Sequence, residues 1–155
     1  ANMGQRAEFQ VAGVPVGREI PELPVKAKEG SIIAIVATDA PLDHLKLSRL
    51  ASRAGIGLAR TGSTVRHGSG DLFLAFSTGN RIPHQPKANT FLLTVVDDNH
   101  LNPLFEAVEE ATEEAILNAL TAATTTAGRE GNTAYALPLD RLLDVMTKYG
   151  RLPAR

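Results

Sequence analysis

The side chains best placed for chemistry in this chain are two serines and an aspartate, each next to a glycine. Ser31 follows Gly30 and precedes the apolar run Ile32 to Ala37, while Ser69 and Asp71 lie in Gly68-Ser69-Gly70-Asp71. A serine at the first residue of a buried strand, after a residue with no Cβ to block attack on its carbonyl, suits a self-cleaving hydrolase. Attack of the Ser31 hydroxyl on the Gly30 carbonyl exchanges the amide for an ester, and once that ester is hydrolysed the residue carries both a free hydroxyl and a free α-amino group. Such an amine has an unperturbed pKa of about 7.7 to 8.0, so near neutral pH it can take a proton from a nucleophile. In the second motif the glycines let backbone approach a ligand or a neighbouring strand, and a carboxylate two residues after the serine can orient a hydroxyl or a substrate amine. Local pattern alone favours plainer readings of both: a turn ahead of a strand for Gly30-Ser31, and a Gly-rich hairpin with a solvated Asp71 for the other.

The remaining polar groups offer less. His44, His67, His84 and His100 have neither His-x₃-His spacing nor a carboxylate partner at helical spacing, so no zinc site is read from them. Only His67 lies beside a candidate loop, where a surface histidine is the simpler reading. Asp97-Asp98-Asn99 reads as a polar turn after a strand, and Glu106, Glu109, Glu110 and Glu113 as the solvated side of a helix. Gly13 to Gly17 lacks the lysine and following helix of a phosphate loop. No metal and no cofactor are expected.

Composition bounds the setting. The chain has 155 residues, 43% hydrophobic and 21% charged, which suits one ordinary globular core. A net charge of -1 carries no electrostatic footprint for nucleic acid or an anionic membrane surface, and neither is expected as a partner. Cysteine is absent, which excludes disulfides and thiolate chemistry and points to the cytoplasm, with the periplasm left open. The longest apolar run, Ile32 to Ala37, is far short of the roughly 20 residues needed to cross a bilayer. Ala1 in place of an initiator methionine suggests a processed chain or a fragment of something longer.

The elements that must position these groups follow from periodicity. Residues 8–14 alternate weakly and read as a short strand or hairpin arm. Pro15, Gly17, Pro21 and Pro24 then punctuate an exposed polar connection into Ser31, a sensible place for a scissile bond. Ile32 to Ala37 is continuous rather than alternating and rich in β-branched residues, which predicts a central strand covered on both faces. Asp39 as cap and Pro41 as an early helical position predict a helix over 41–60, with Gly55 and Gly57 tolerated for close packing. A loop over 61–71 delivers Ser69 and Asp71 to a second strand, 72–77, and a third follows at 90–96. Pro103 opens a helix predicted to run to about 127 and stop at Gly128, and a last helix spans 138–149 before Gly150. This order predicts an α/β layered sandwich with at least one sheet edge left unpaired, to be completed by upstream chain or another subunit.

Taken together, Gly-Ser-Ile-Ile-Ala-Ile-Val-Ala-Thr-Asp-Ala-Pro-Leu at 30–42, Leu-Ala-Arg-Thr-Gly-Ser at 58–63, Gly-Ser-Gly-Asp-Leu-Phe-Leu-Ala-Phe-Ser-Thr at 68–78 and Asp-Arg-Leu at 140–142 resemble the L-aminopeptidase/D-Ala esterase-amidase family. These are self-processing serine aminopeptidases that include the β-peptidyl aminopeptidases. The resemblance implies an α/β (α+β) fold, an αββα sandwich resembling N-terminal nucleophile hydrolases, of which this chain is the C-terminal part. It implies cleavage between Gly30 and Ser31, so that 1–30 is the end of the α-subunit region with its linker and 31–155 is the β-subunit. Ser31 is then the nucleophile, Ser69 relays or orients its proton, and Asp71 anchors that network or meets the substrate's amino group. Asn2, in Asn2-Met3-Gly4, matches a family asparagine that helps hold the oxyanion.

The implied function is release of N-terminal residues from small peptides, amides or esters through an acyl-enzyme on Ser31. The implied partners are the absent α-subunit portion of the same precursor and further αβ units of a homo-oligomer. Hydrolysis of non-peptide linear amides, acyl transfer by the same nucleophile, and a catalytically silent binding or assembly domain stand as alternatives. Ser31, where a related nylon-oligomer hydrolase branch has threonine, favours the peptidase side.

Overall fold

The computed structural model describes residues 5–22, 30–85 and 88–153. Its centre is a strand-helix-strand unit. β1 (Ile33–Thr38) and β2 (Leu72–Ser77) pair in parallel, Ile33 opposite Leu72 through Thr38 opposite Ser77. Parallel neighbours need a long crossover, and α2 (His44–Arg60) supplies it. Alternation decides which side chains meet the helices. Ala34, Val36 and Phe73 point into a core built on Leu42, Leu50, Ala54, Leu101, Phe105 and Val108, the last three contributed by the start of α3 (Asn102–Ala122) and the residue before it.

A second, smaller core joins the two ends of the chain. Val14, Val16 and Ile20, on and beside the short α1 (Val16–Glu19), pack against Val145 and Met146 of α4 (Leu139–Lys148). Polar contacts close its rim. Glu19 accepts from Lys148 Nζ and the Tyr149 hydroxyl, each at 2.7 Å, and Glu22 pairs with Arg141 Nε at 3.0 Å. These donors hold the Glu19 carboxyl below the usual carboxylate range.

Several elements differ from expectation for definite reasons. The helix over 41–60 starts later because Asp43, not Asp39, is the cap: its Oδ1 accepts from Lys46 N at 2.8 Å. α3 stops at Ala122, and Ala123 turns extended ahead of three β-branched threonines, so Gly128, with φ of -102°, plays no part in ending it. The segment after α3 holds a small hairpin, β3 (Thr126–Ala127) with β4 (Thr133–Ala134), turned through Glu130 and Gly131 at φ of 59° and 74°. The strand expected at 90–96 is absent. Among the described residues that stretch pairs with no strand; instead Asn80 Oδ1 accepts from Thr94 N at 3.0 Å while its amide donates to Thr94 O at 2.8 Å. Nor is residues 8–14 a strand: a single bridge links Val11 and Val14 around Ala12-Gly13. α4 does end as expected, with Gly150 at φ of 68°.

The expectation of a strand covered on both faces also fails. Ile33, Ile35, Leu72, Leu74 and Phe76 form one apolar face of the sheet and are 66%, 64%, 57%, 56% and 49% exposed. Among the described residues, helices cover only the opposite face.

The two glycines of α2 turn out to be unlike. A Cβ on Gly57 would lie 2.4 Å from the Glu109 carbonyl oxygen and 2.7 Å from Thr112 Cβ, so this glycine permits the close crossing of α2 and α3. At Gly55 the nearest atoms, on the Phe73 ring, are 3.7 Å away, an ordinary contact. Alanine gains about 1 kcal/mol in helix propensity at either position. Gly55→Ala is therefore expected to raise the thermal midpoint. At Gly57 the backbone clash outweighs that gain, and Gly57→Ala is expected to destabilise by about 1–3 kcal/mol, read as a lowered midpoint in thermal denaturation. Equal effects of the two substitutions would contradict this packing.

Candidate active site

Both chemistry-bearing segments end where a strand begins: Gly30-Ser31 runs into β1 and Ser69-Gly70-Asp71 into β2. Because the strands are parallel with a constant offset, extending the ladder backward aligns residues 30–32 with 69–71. The structure shows contacts at those three rungs, each with a side chain in place of one backbone group. Ser69 Oγ lies 2.8 Å from the Gly30 carbonyl oxygen. Gly70 N donates to Ser31 Oγ at 3.1 Å. Ile32 N donates to Asp71 Oδ1 at 3.0 Å. The ladder itself resumes with Leu72 N donating to Ile32 O at 2.9 Å.

Ser69 Oγ also lies 2.5 Å from Asp71 Oδ1. A hydroxyl has one proton to give, and this one has two acceptors, the Gly30 carbonyl and the Asp71 carboxylate. The group is thus poised between the carbonyl of the Gly30-Ser31 bond and an acid that can hold or return a proton. Asp71 Oδ2 is buried and has no hydrogen-bond partner among the described residues, which is costly for a carboxylate unless something cationic meets it.

Of the five residues singled out from sequence, Gly30, Ser31, Ser69 and Asp71 lie together. Asn2 lies outside the described residues. One group of the site is a backbone donor that sequence reasoning missed, the Gly70 N–H. Glycine on either side of Ser69 was the available signal, since a close backbone approach needs it; a Cβ on Gly70 would sit 3.8 Å from Ser31 Oγ. His67 is exposed. Among the described residues no group of three or more His, Asp or Glu is arranged to hold a metal, and no helix is long and apolar enough to cross a membrane.

A model of peptidase family S58 matches residues 1–134. The chain belongs to peptidase family S58. Similar proteins within reach of this S58 chain include the β-peptidyl aminopeptidase BapA of Sphingosinicella microcystinivorans, 40% identical over 99% of this chain and 43% of its own length. Among solved structures, the PH0078 protein of Pyrococcus horikoshii OT3 superposes with a TM-score of 0.90 at 48% identity, over 97% of this chain and 42% of that one. The L-aminopeptidase D-Ala-esterase/amidase of Ochrobactrum anthropi, described as a prototype of the serine aminopeptidases and a variant of the Ntn hydrolase fold, gives 0.90 at 39% identity over 98% and 42%. The S58 chain thus has the expected Ntn-hydrolase-like α+β fold, and it spans less than half the length of these relatives.

Proposed function

We propose that this S58 chain carries the nucleophile of a self-processing serine aminopeptidase or amidase, with Ser31 attacking first the Gly30 carbonyl and then substrate. The observation that carries the reading is the triple rung at 30–32 and 69–71, which gathers the hydroxyl, the scissile carbonyl and an acid. In the first step Ser31 Oγ adds to Gly30 C, and Ser69 donates to the oxygen that becomes negative. Collapse breaks the Gly30-Ser31 C–N bond; the proton lost from Ser31 Oγ passes to the leaving nitrogen, which becomes the free Ser31 α-amine, and the Gly30 acyl group stays as an ester on Oγ. Water then hydrolyses the ester, releasing the Gly30 carboxylate and restoring the Ser31 hydroxyl beside the free α-amine.

In turnover the freed Ser31 hydroxyl attacks the substrate carbonyl, the leaving amine takes a proton, and water hydrolyses the acyl-enzyme. Gly70 N–H holds the nucleophilic oxygen in register, and the hydroxyl proton passes to the freed Ser31 α-amine with Ser69 and Asp71 orienting the transfer. The buried Asp71 Oδ2 is suited to the free ammonium of a substrate's N-terminal residue, which gives the aminopeptidase preference its physical basis. Asn2 would supply a further oxyanion donor. On this reading residues 1–30 remain as the end of the α-subunit region, 31–155 is the β-subunit, and the open face of β1 and β2 packs on the rest of the same polypeptide.

Mass spectrometry of the purified full-length protein tests this directly. A fragment beginning Ser-Ile-Ile, together with release of p-nitroaniline from amino-acid p-nitroanilides, is the expected result. A Gly30-Ser31 bond still intact after long incubation would leave a binding or assembly domain as the better account. β-Peptides and aminohexanoate oligomers, assayed with and without an amine acceptor, identify the preferred amide.

A further inference from the structure

The loop that carries Ser69 and Asp71 is held from the upstream side of the proposed cut. Glu8 touches it twice. Its side chain pairs with Arg66, three residues before Ser69. Its backbone carbonyl lies so close to Gly62 that a Cβ there would come within 1.7 Å of the oxygen, and Gly62 has φ of 102°. Beside these contacts Gln10 N donates to Thr61 O at 3.0 Å, and Thr61 is buried with its hydroxyl on Leu58 O at 2.8 Å.

Between Gly62 and Arg66 the chain passes through Val65 at φ of 47°, a conformation that a β-branched residue seldom adopts. Arg66 O then accepts from Ser69 N at 2.8 Å, closing the turn that presents the Ser69 hydroxyl. A strained backbone in an exposed loop relaxes unless its surroundings fix it. The fixed points on either side of Val65 are Gly62 and Arg66, and both are on Glu8.

We propose that the Glu8–Arg66 ion pair is a positioning pair: it holds the 61–71 loop so that Ser69 and Asp71 stay on the Gly30-Ser31-Ile32 rungs. The inference rests on the reading of Ser31, Ser69 and Asp71 given above. After cleavage the pair links two polypeptides, so the alignment of the β-subunit's acid and hydroxyl depends on a residue of the α-subunit region.

The test is a double-mutant cycle in the full-length protein, with the rate of self-cleavage, kcat, KM and the thermal midpoint all measured. Glu8→Gln, nearly isosteric, and Arg66→Ala are each expected to slow self-cleavage and lower kcat by about three- to tenfold, with KM within about twofold and a little-changed midpoint. The double variant is expected to be no slower than the worse single, because each residue acts through the other. Arg66→Lys, which keeps the charge, should restore most of the rate. Unchanged kcat in Glu8→Gln, or losses that multiply in the double variant, would overturn the pair's role. If Arg66→Ala does not fold, Glu8→Gln with Arg66→Lys carries the test. Ser31→Ala, run alongside, reports separately on the nucleophile: an inactive Ser31→Ala with a fully active Glu8→Gln sinks the positioning pair alone.

Discussion

Ser31→Ala is expected to leave the full-length polypeptide uncut and to reduce amide hydrolysis on the order of 10⁴-fold or more, the scale seen when a serine nucleophile is removed elsewhere. Two losses coincide. Without Oγ the Gly30 carbonyl has no internal attacker, and without the cut there is no α-amine at this position to serve as base. The fold should survive the change. Ser31 is only half-buried, and Gly70 N, which donates to its Oγ, is an N–H on an exposed loop residue that water can satisfy. A net hydrogen bond is worth about 1 kcal/mol, so the thermal midpoint should move little while activity collapses. Measured p-nitroanilide hydrolysis within tenfold of the parent protein in Ser31→Ala would remove the central claim.

Removing the Ser69 hydroxyl is the second large effect. In Ser69→Ala the Gly30 carbonyl loses the donor 2.8 Å away, and the Asp71 carboxylate loses the hydroxyl 2.5 Å from its Oδ1. Loss of one donor to a developing oxyanion costs about 2.7–4 kcal/mol at comparable sites, or roughly 10²–10³ in rate. Self-cleavage should show the full deficit, because the Gly30 carbonyl is the group Ser69 contacts. In turnover the fall should be in kcat with KM little altered, since the hydroxyl acts on a charge that forms only in the transition state. Asp71→Asn should be impaired too: the side chain keeps an acceptor for Ile32 N but loses the charge that an ammonium would meet. A self-cleavage half-life in Ser69→Ala within threefold of the parent would exclude the hydroxyl from the reaction.

How much of this was legible beforehand depends on range. β1 and β2 and the body of α2, α3 and α4 follow from short-range periodicity, with Pro138 marking the start and Gly150 the stop of the last helix. Boundaries failed where a local competitor won, as when Asp43 rather than Asp39 reached the free N–H groups of α2. The strand expected at 90–96 had the right composition, but a strand exists only by pairing, and composition does not carry the partner. The site was legible as a set of residues because its motifs stand in family order. Its geometry was not, because register is a relation between segments 39 apart that neither contains alone. Glu8 and Arg66, separated by 58 positions, left no local trace at all.

The open side of the β1–β2 sheet has a thermodynamic consequence. Fully burying a large apolar side chain contributes about 1.5–3 kcal/mol, and Ile33, Ile35, Leu72, Leu74 and Phe76 have between 49% and 66% of their surface still exposed. Together this is roughly 4–8 kcal/mol, comparable with the whole net stability of an ordinary domain at about 5–15 kcal/mol. Whatever covers the face is therefore not an accessory to an already stable unit. The same face is built from the two strands whose amino ends carry Ser31 and Asp71, so burying it would also steady the rungs proposed for catalysis.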